Sequence, residues 1–427
     1  MILCASVYVI DHQRLDDSHA WLESLHKAMH GNEPTLPLFL FLIFCTTKFC
    51  FVSTASIYAD KHPTRRIVAE VTYDGSAFSG WQLQSSKRSV QGELNEVLSS
   101  IYHQPIRVCG ASRTDKGVHA RGQIIHYDLP ESFLDADVSG PLQLINQQLP
   151  DDLKIKRCSI APPGLLDIQI EEGLPWHAIE NAVAKHYSYV FTTTSALLDP
   201  MKTRYCANLY KHQASLPMDI SRFQSALNLF EGTHDFRAFG NRLDIRAKRS
   251  EVYSGESFSS VRTIYSAAVK EIHNPSQYAQ FSTLSSRGQL EETYYEVDII
   301  LDGALYKMLR NVIAGCVEVG YGTMGLDELG CLLGKDFVAI GKNGEEAVEN
   351  TNNMGVEQEQ GDVHHTACQT SMRTDPTTFK SSDVTSSPSV PVYSGYIPSR
   401  AENRLVTAPA CGLYLEEVFY KEKIFDD

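Results

Sequence analysis

The nine residues 184–192, AKHYSYVFT, set Lys185, Tyr187, Tyr189 and Phe191 on one face of a strand. The elements after this strand repeat those after an earlier one. At 66–73, RIVAEVTY, the residues Ile67, Ala69, Val71 and Tyr73 alternate toward one side, the period of a half-buried strand. Ser89 then caps a helix in which Val90, Leu94, Val97, Leu98 and Ile101 recur at helical spacing. Strands are expected near 105–111 and 122–128, a short helix near 141–148 and a strand near 155–160. After 184–192, Asp219 caps a helix with Ile220, Phe223, Leu227 and Phe230 inward, closed by Gly232. Strands at 261–273 and 293–302, a helix at 305–319 and a last strand at 412–420 complete the second run. Both runs read β-α-β-β-α-β, the split βαβ order. The expected fold class is α+β: two ferredoxin-like (split βαβ) halves forming a broad antiparallel sheet, helices on one face and a catalytic cleft between the halves.

Around this repeat the chain divides into four parts. Residues 63–170 form the first α/β half, and 171–336 with 404–427 form the second. Residues 337–403 lose all periodicity and are rich in Gly, Asn, Ser, Thr, Glu and Gln, the composition of a disordered insertion that cannot bury enough apolar area to fold. Residues 1–62 read as a poorly ordered leader. Within it the apolar block 36–45, LPLFLFLIFC, precedes the small-residue stretch Val52–Ala55, too short to span a bilayer and of the length of a targeting core. If 36–55 is a targeting signal, the compartment is an organelle, plastid or mitochondrion; otherwise it is cytoplasm or nucleus.

Composition excludes several classes. The net charge of −14 rules out a histone-like nucleic-acid coat. Residues 1–60 and the segment 341–398 carry −3 and −5 of that charge, so the rest is only mildly acidic and leaves room for a local basic cleft. The ten cysteines contain no CxxC, which excludes a zinc ribbon or thioredoxin motif and argues against a disulfide framework. No window of 18 uninterrupted apolar residues occurs, so a polytopic membrane protein is excluded.

The densest polar run lies between two strands of the first half: Gly110-Ala111-Ser112-Arg113-Thr114-Asp115-Lys116-Gly117-Val118-His119-Ala120. A loop held by a rigid sheet is where site residues concentrate. Its one carboxylate, Asp115, sits between Arg113 and Lys116, whose charges are expected to keep it ionised despite burial. That suits an anionic nucleophile or base working beside a phosphodiester.

These residues resemble a known family. Arg113 to Ala120 with Gly122-Gln123 is similar to the signature loop of the TruA-type tRNA pseudouridine synthases. Tyr73-Asp74-Gly75, Gly80-Trp81-Gln82 and Ser89-Val90-Gln91-Gly92 resemble the family's amino-terminal block, and Leu149-Pro150-Asp151-Asp152 its middle. Trp176-His177-Ala178, Gly232-Thr233-His234-Asp235-Phe236, Arg262-Thr263-Ile264, Met308-Leu309-Arg310-Asn311 and Ala408-Pro409 come next in family order. The resemblance implies a uridine isomerase acting on tRNA without cofactor or metal: it breaks N1–C1′, turns the uracil and rejoins it through C5. It implies Asp115 as the catalytic group, Arg113 in extrusion of the nucleotide, Tyr187 stacked on the base and Arg310 paired with Asp115. Lys116, His119, Gln123 and Arg262 are the expected substrate-binding residues. Three departures stand out: Ser112 where glycine is frequent, Ile179-Glu180 where an arginine and an aromatic are usual, and the insertion.

Two rivals are weaker. Gly320-Tyr321-Gly322-Thr323-Met324-Gly325 fits GxGxxG but comes after a helical pattern instead of a strand, so a dinucleotide site lacks its context. His119, His126, His177 and His234 are too dispersed to suggest a metal set. A catalytically silent RNA-binding relative of the same fold is the alternative function, and a homodimer is left open.

Overall fold

The computed structural model describes residues 64–133, 141–164, 175–195, 200–211, 214, 216–243, 247, 258–272, 293–335, 379 and 397–425. The leader and most of the insertion lie outside the described residues. In chain order the strands are β1 (Thr64–Tyr73), β2 (Cys109–Gly110), β3 (His119–Pro130), β4 (Leu153–Ile160), β5 (Ala182–Thr192), β6 (Ala207–Asn208), β7 (Gly232–Asp235), β8 (Val261–Ile272), β9 (Tyr294–Leu301) and β10 (Leu413–Tyr420). The main helices are α1 (Val90–Ile101), α2 (Leu142–Gln148), α3 (Ile220–Phe230), α4 (Met308–Gly320) and α5 (Leu326–Cys331).

All ten strands join one sheet in the order β4-β1-β3-β10-β5-β9-β8-β7, with β2 also on β3 and β6 on β5. The first half is β4-β1-β3-β2 and the second β10-β5-β9-β8, the same split order twice, so the α+β reading of two ferredoxin-like halves holds. The sheet is not wholly antiparallel. The halves meet where β10 runs parallel to β3, through Tyr414↔His119 and Leu415↔Ala120, and β6 is parallel to β5. The expected strand at 105–111 shrinks to the two residues of β2, and β7 is an added edge strand.

The helices form where caps and apolar spacing agree. Ser89 Oγ accepts the Gly92 N–H before α1, and Asp219 accepts the Ser221 and Arg222 amides before α3. Leu94 and Leu98 of α1, Phe223, Leu227 and Phe230 of α3, and Val312 and Ile313 of α4 share one apolar core with Ile67, Tyr187, Phe191 and Ile299 of the sheet. Alternate residues face the other way and pair by charge, Glu70 with Lys156 and Arg157, Arg121 with Glu416, and Asp298 with Lys270, while His186 hydrogen-bonds Asp298.

Phe379 and residues 397–403 fall inside the stretch expected to be disordered. Phe379 is buried with Ala184 and Ile300 of the sheet, and Ile397 joins the main core. The second half therefore resumes before residue 404. Gly320 of the GxGxxG run closes α4 and Gly322 has φ +70°, a helix C-terminus with its carbonyls outward, the wrong end for a phosphate.

Candidate active site

Residues 111–118 connect β2 to β3 and have left the strand ladder, so each of their polar groups needs its own partner. Ala111 N–H donates to the Ile124 carbonyl (2.7 Å). Gln123 accepts the Ser112 N–H (3.1 Å) and donates to the Ser112 carbonyl (2.7 Å). The Thr114 carbonyl accepts from Trp81 N–H (3.0 Å), and its hydroxyl bonds the Tyr73 hydroxyl (2.7 Å). Val118 N–H closes the turn on the Asp115 carbonyl (3.1 Å), with Gly117 at φ +80°, where a side chain would strain the backbone. Behind it, a Cβ on Gly75 would lie 1.9 Å from the Val118 carbonyl oxygen, so only glycine lets the two segments touch. Tyr73-Asp74-Gly75 and Gly80-Trp81-Gln82 thus brace the loop.

The second half grips the same loop from the front. Lys185 Nζ donates to the Ala111 carbonyl (2.8 Å), and two residues on, the Tyr187 hydroxyl meets Ser112 Oγ (2.7 Å). At the start of α4, Arg310 Nη1 donates to Asp115 Oδ2 (3.1 Å), and its Nε is fixed by the Ala408 carbonyl (2.7 Å). The Asp115 and Arg310 side chains are each only 14% exposed. This is the centre: one carboxylate from the first half, with its cation and an aromatic from the second.

Burial raises the Asp115 carboxyl above the ordinary carboxylate value, and Arg310 followed by Lys307 pulls it back only in part. The cations that hold its charge are therefore not its sequence neighbours. Arg113 and Lys116 are exposed and, among the described residues, form no hydrogen bond or ion pair, which leaves them free for a polyanion. Burial pushes the Tyr187 hydroxyl up to about 12 and the Lys185 ammonium down to about 8.

Two expected binding residues are corrected. Gln123 is fully buried and both its amide atoms hold Ser112, so it positions the loop from behind. His119 is 2% exposed, stacked on Tyr414 at 4.7 Å, with Nε2 3.2 Å from the Arg204 carbonyl; it packs the seam between the halves. Arg262 opens β8 half-buried, donating to the Ser259 (3.0 Å) and Val261 (2.5 Å) carbonyls, and it shares the electrostatic surroundings of Lys185 and Asp302.

Lys307 and Lys185 are two residues of the centre that the motifs do not single out. Lys307 caps α4 with φ +61°, a left-handed backbone that costs a non-glycine residue about 1 kcal/mol or more. A cation at a helix N-terminus is also unfavourable. A residue that breaks both rules beside a carboxylate is a functional signal, and lysine directly before an apolar helical run is how it shows in sequence.

Two of the four dispersed histidines, His126 and His177, also meet. Cys109, His126 and His177 bring their ligand atoms within 4.8 Å of one another. However, His126 Nδ1 accepts the Ala178 N–H (3.2 Å), and His177 Nδ1 accepts the Ile179 (3.3 Å) and Glu180 (3.4 Å) amides. Both neutral rings then carry their proton on Nε2, which suits a hydrogen bond from His177 to the Cys109 sulfur (3.6 Å) better than a metal ligand. Burial, then nearby Arg66, lowers His126 to about 4.

A family model described as tRNA pseudouridine synthase matches residues 226–348. The tRNA pseudouridine synthase A of Geobacillus sp. (strain WCH70) is 32% identical over 268 residues, 62% of this chain and 88% of that one. That of Geobacillus kaustophilus (strain HTA426) is 34% identical over 271 residues, 63% and 86% of the two chains, and that of Leuconostoc citreum (strain KM20) is 33% identical over 267, 60% and 84%. The chain belongs to the tRNA pseudouridine synthase family.

Proposed function

We propose that this protein isomerises uridine in tRNA to pseudouridine and that Asp115 is its catalytic group. The observation that carries the reading is the Asp115–Arg310 pair, in which a carboxylate poised by burial faces a cation from the opposite half. In this reaction the N1–C1′ bond breaks, C1′ bonds to C5, the C5 proton leaves and N1 gains one, so no atom is added and no electron is exchanged. A partly desolvated carboxylate can attack carbon or take a proton, and either use requires its ionised form. Arg310 favours that form and fixes its direction. Tyr187 offers a flat apolar surface on which uracil can turn, as hydrogen bonds alone would not allow. The target nucleotide must leave its stack to reach Asp115, and the exposed Arg113 is suited to hold the strand while it does. A silent RNA-binding relative would have no use for a buried carboxylate set among phosphate-binding groups. Incubating the purified protein with unmodified tRNA and mapping pseudouridine tests the reading; wild-type protein that binds tRNA and leaves every uridine intact would overturn it.

A further inference from the structure

A cavity of about 700 Å³ is lined by Arg237, Arg242, Arg400, Asn241, Asn403 and Phe258 among others. No acidic residue is among its described lining residues. Arginines gathered around one hollow with no carboxylate in its lining favour an anion there, and an open guanidinium presents a planar fork that fits a phosphate. Arg237 is neutralised by Asp235, to which its Nε (2.8 Å) and Nη2 (2.5 Å) both donate, so the positive field comes from Arg242 and Arg400. Arg400 is held by Asn403 and by the Leu405 carbonyl, while its Nε is buried with no partner among the described residues. Arg242 is exposed and held at φ +57°, with its guanidinium carbon 5.7 Å from the centre of the Tyr306 ring.

Tyr306 connects this hollow to Asp115. It is 39% exposed, and Lys307 Nζ lies 5.5 Å from its ring, so two cations accompany one partly exposed aromatic ring. Its carbonyl accepts the Asn241 N–H (2.9 Å), and Asn241 Oδ1 accepts from Asn311 (2.8 Å), the neighbour of Arg310. The geometry points to a phosphodiester site for the tRNA strand flanking the target uridine, with a neighbouring base stacked on Tyr306. Stacking on an aromatic beside arginine-held phosphates is how single strands are gripped without sequence preference. Ser399, Arg400 and Asn403 are among the last residues of the 337–403 insertion, so part of this wall comes from the segment that the resemblance marks as a departure.

This inference rests on the reading of tRNA as substrate, and its test separates the two. Affinity of the full chain for unmodified tRNA is measured against salt for wild type, Arg242→Ala, Arg242→Lys, Tyr306→Ala and Tyr306→Phe. Arg242→Ala is expected to weaken binding about fivefold at 0.1 M salt and to lower the slope of log affinity against log salt by about one, with Lys restoring the slope. Tyr306→Ala should weaken binding about tenfold with the slope kept, and Phe should restore it. Wild-type affinity and slope in both alanine variants would overturn the site. Pyrophosphate and ADP are titrated in parallel; Arg242-dependent binding of either, with tRNA affinity unaffected, would assign the cavity to a free nucleotide and also overturn it. If wild type makes no pseudouridine yet RNA binding still depends on Arg242 and Tyr306, the site stands and the proposed activity falls.

Discussion

The two halves of the sheet share a strand order and differ in what became of one strand. In the second half β8 runs for twelve residues and holds eight register pairs with β9. Its counterpart β2 keeps two residues and two pairs on β3, and the chain released from pairing becomes the Asp115 loop. One half has given up ladder hydrogen bonds to present a carboxylate, at the cost of satisfying each freed backbone group singly through Gln123, Trp81 and Lys185. The other half keeps its long ladder and presents Tyr187 and Arg310 from a strand and a helix. An irregular loop thus meets a rigid wall, and five hydrogen bonds or ion pairs of the site cross or brace that contact.

The largest effect belongs to the released strand. Asp115→Asn should lower pseudouridine formation by about 10³-fold or more while tRNA affinity changes little, since the amide keeps the shape and loses the anion. Single-turnover rates and filter binding on one preparation check both. The variant should also be no less stable at neutral pH than wild type. The folded state holds the Asp115 proton more tightly than the unfolded chain does, so ionising it works against folding as pH rises through the carboxylate range. Asn removes that dependence, and denaturation at several pH values would reveal a flatter profile.

The paired half depends on chain that returns late. Deleting 343–376 removes neither Phe379 nor Ile397 and should leave the fold intact, because loop length costs only ~0.6 kcal/mol per twofold change. Deleting 343–398 removes both buried side chains and should cost about 2 kcal/mol for each. Urea denaturation of the two deletions decides this; equal stability would mean that neither anchor matters.

Much of this was legible in sequence because it depends on local chemistry. Caps at Ser89 and Asp219, the alternation of β1 and β5, and the polar run around Asp115 are read from neighbours along the chain. What sequence could not supply depends on partners far away in it. Gln123 and His119 look like site residues by their place in the motif, yet Gln123 turns inward to hold Ser112, and His119, beyond a register shift in β3, packs on Tyr414 at the seam. Phe379 sits alone in a polar stretch with no period to mark it, and its burial comes only from Ala184 and Ile300 across the sheet. By sequence Lys116 and Arg113 are the natural partners of Asp115, but side chains next to each other on a turn diverge, and Arg310 arrives from 195 residues away.

Arg310 sharpens the comparison from the rigid side. Arg310→Ala should slow isomerisation about a hundredfold. It should also move the acid limb of the rate upward in pH, because a carboxyl already raised by burial loses its principal counter-charge. Arg310→Lys should restore part of the rate and less of the geometry, since an ammonium cannot hold Asp115 and the Ala408 carbonyl with one planar group. A rate–pH profile in Arg310→Ala superimposable on wild type would make the residue a brace for the segment at Ala408 and nothing more.

The smallest effect tests the contact itself. Ser112 stands where the family frequently has glycine, and here its hydroxyl meets the buried Tyr187 hydroxyl at 2.7 Å, a bond from loop to wall that glycine could not make. Ser112→Gly and Tyr187→Phe should each cost about 1 kcal/mol of stability, the usual net worth of such a bond, with glycine adding some loss from a more flexible loop. If the two hydroxyls act mainly on each other, the double variant should cost about 1 kcal/mol less than the sum of the singles. Tyr187→Phe retains the stacking face, so its isomerisation rate should fall far less than that of Asp115→Asn. Strict additivity in the denaturation cycle would show that the halves are held at this point by Lys185 and Arg310 alone, and that serine at this position is only a tolerated replacement for glycine.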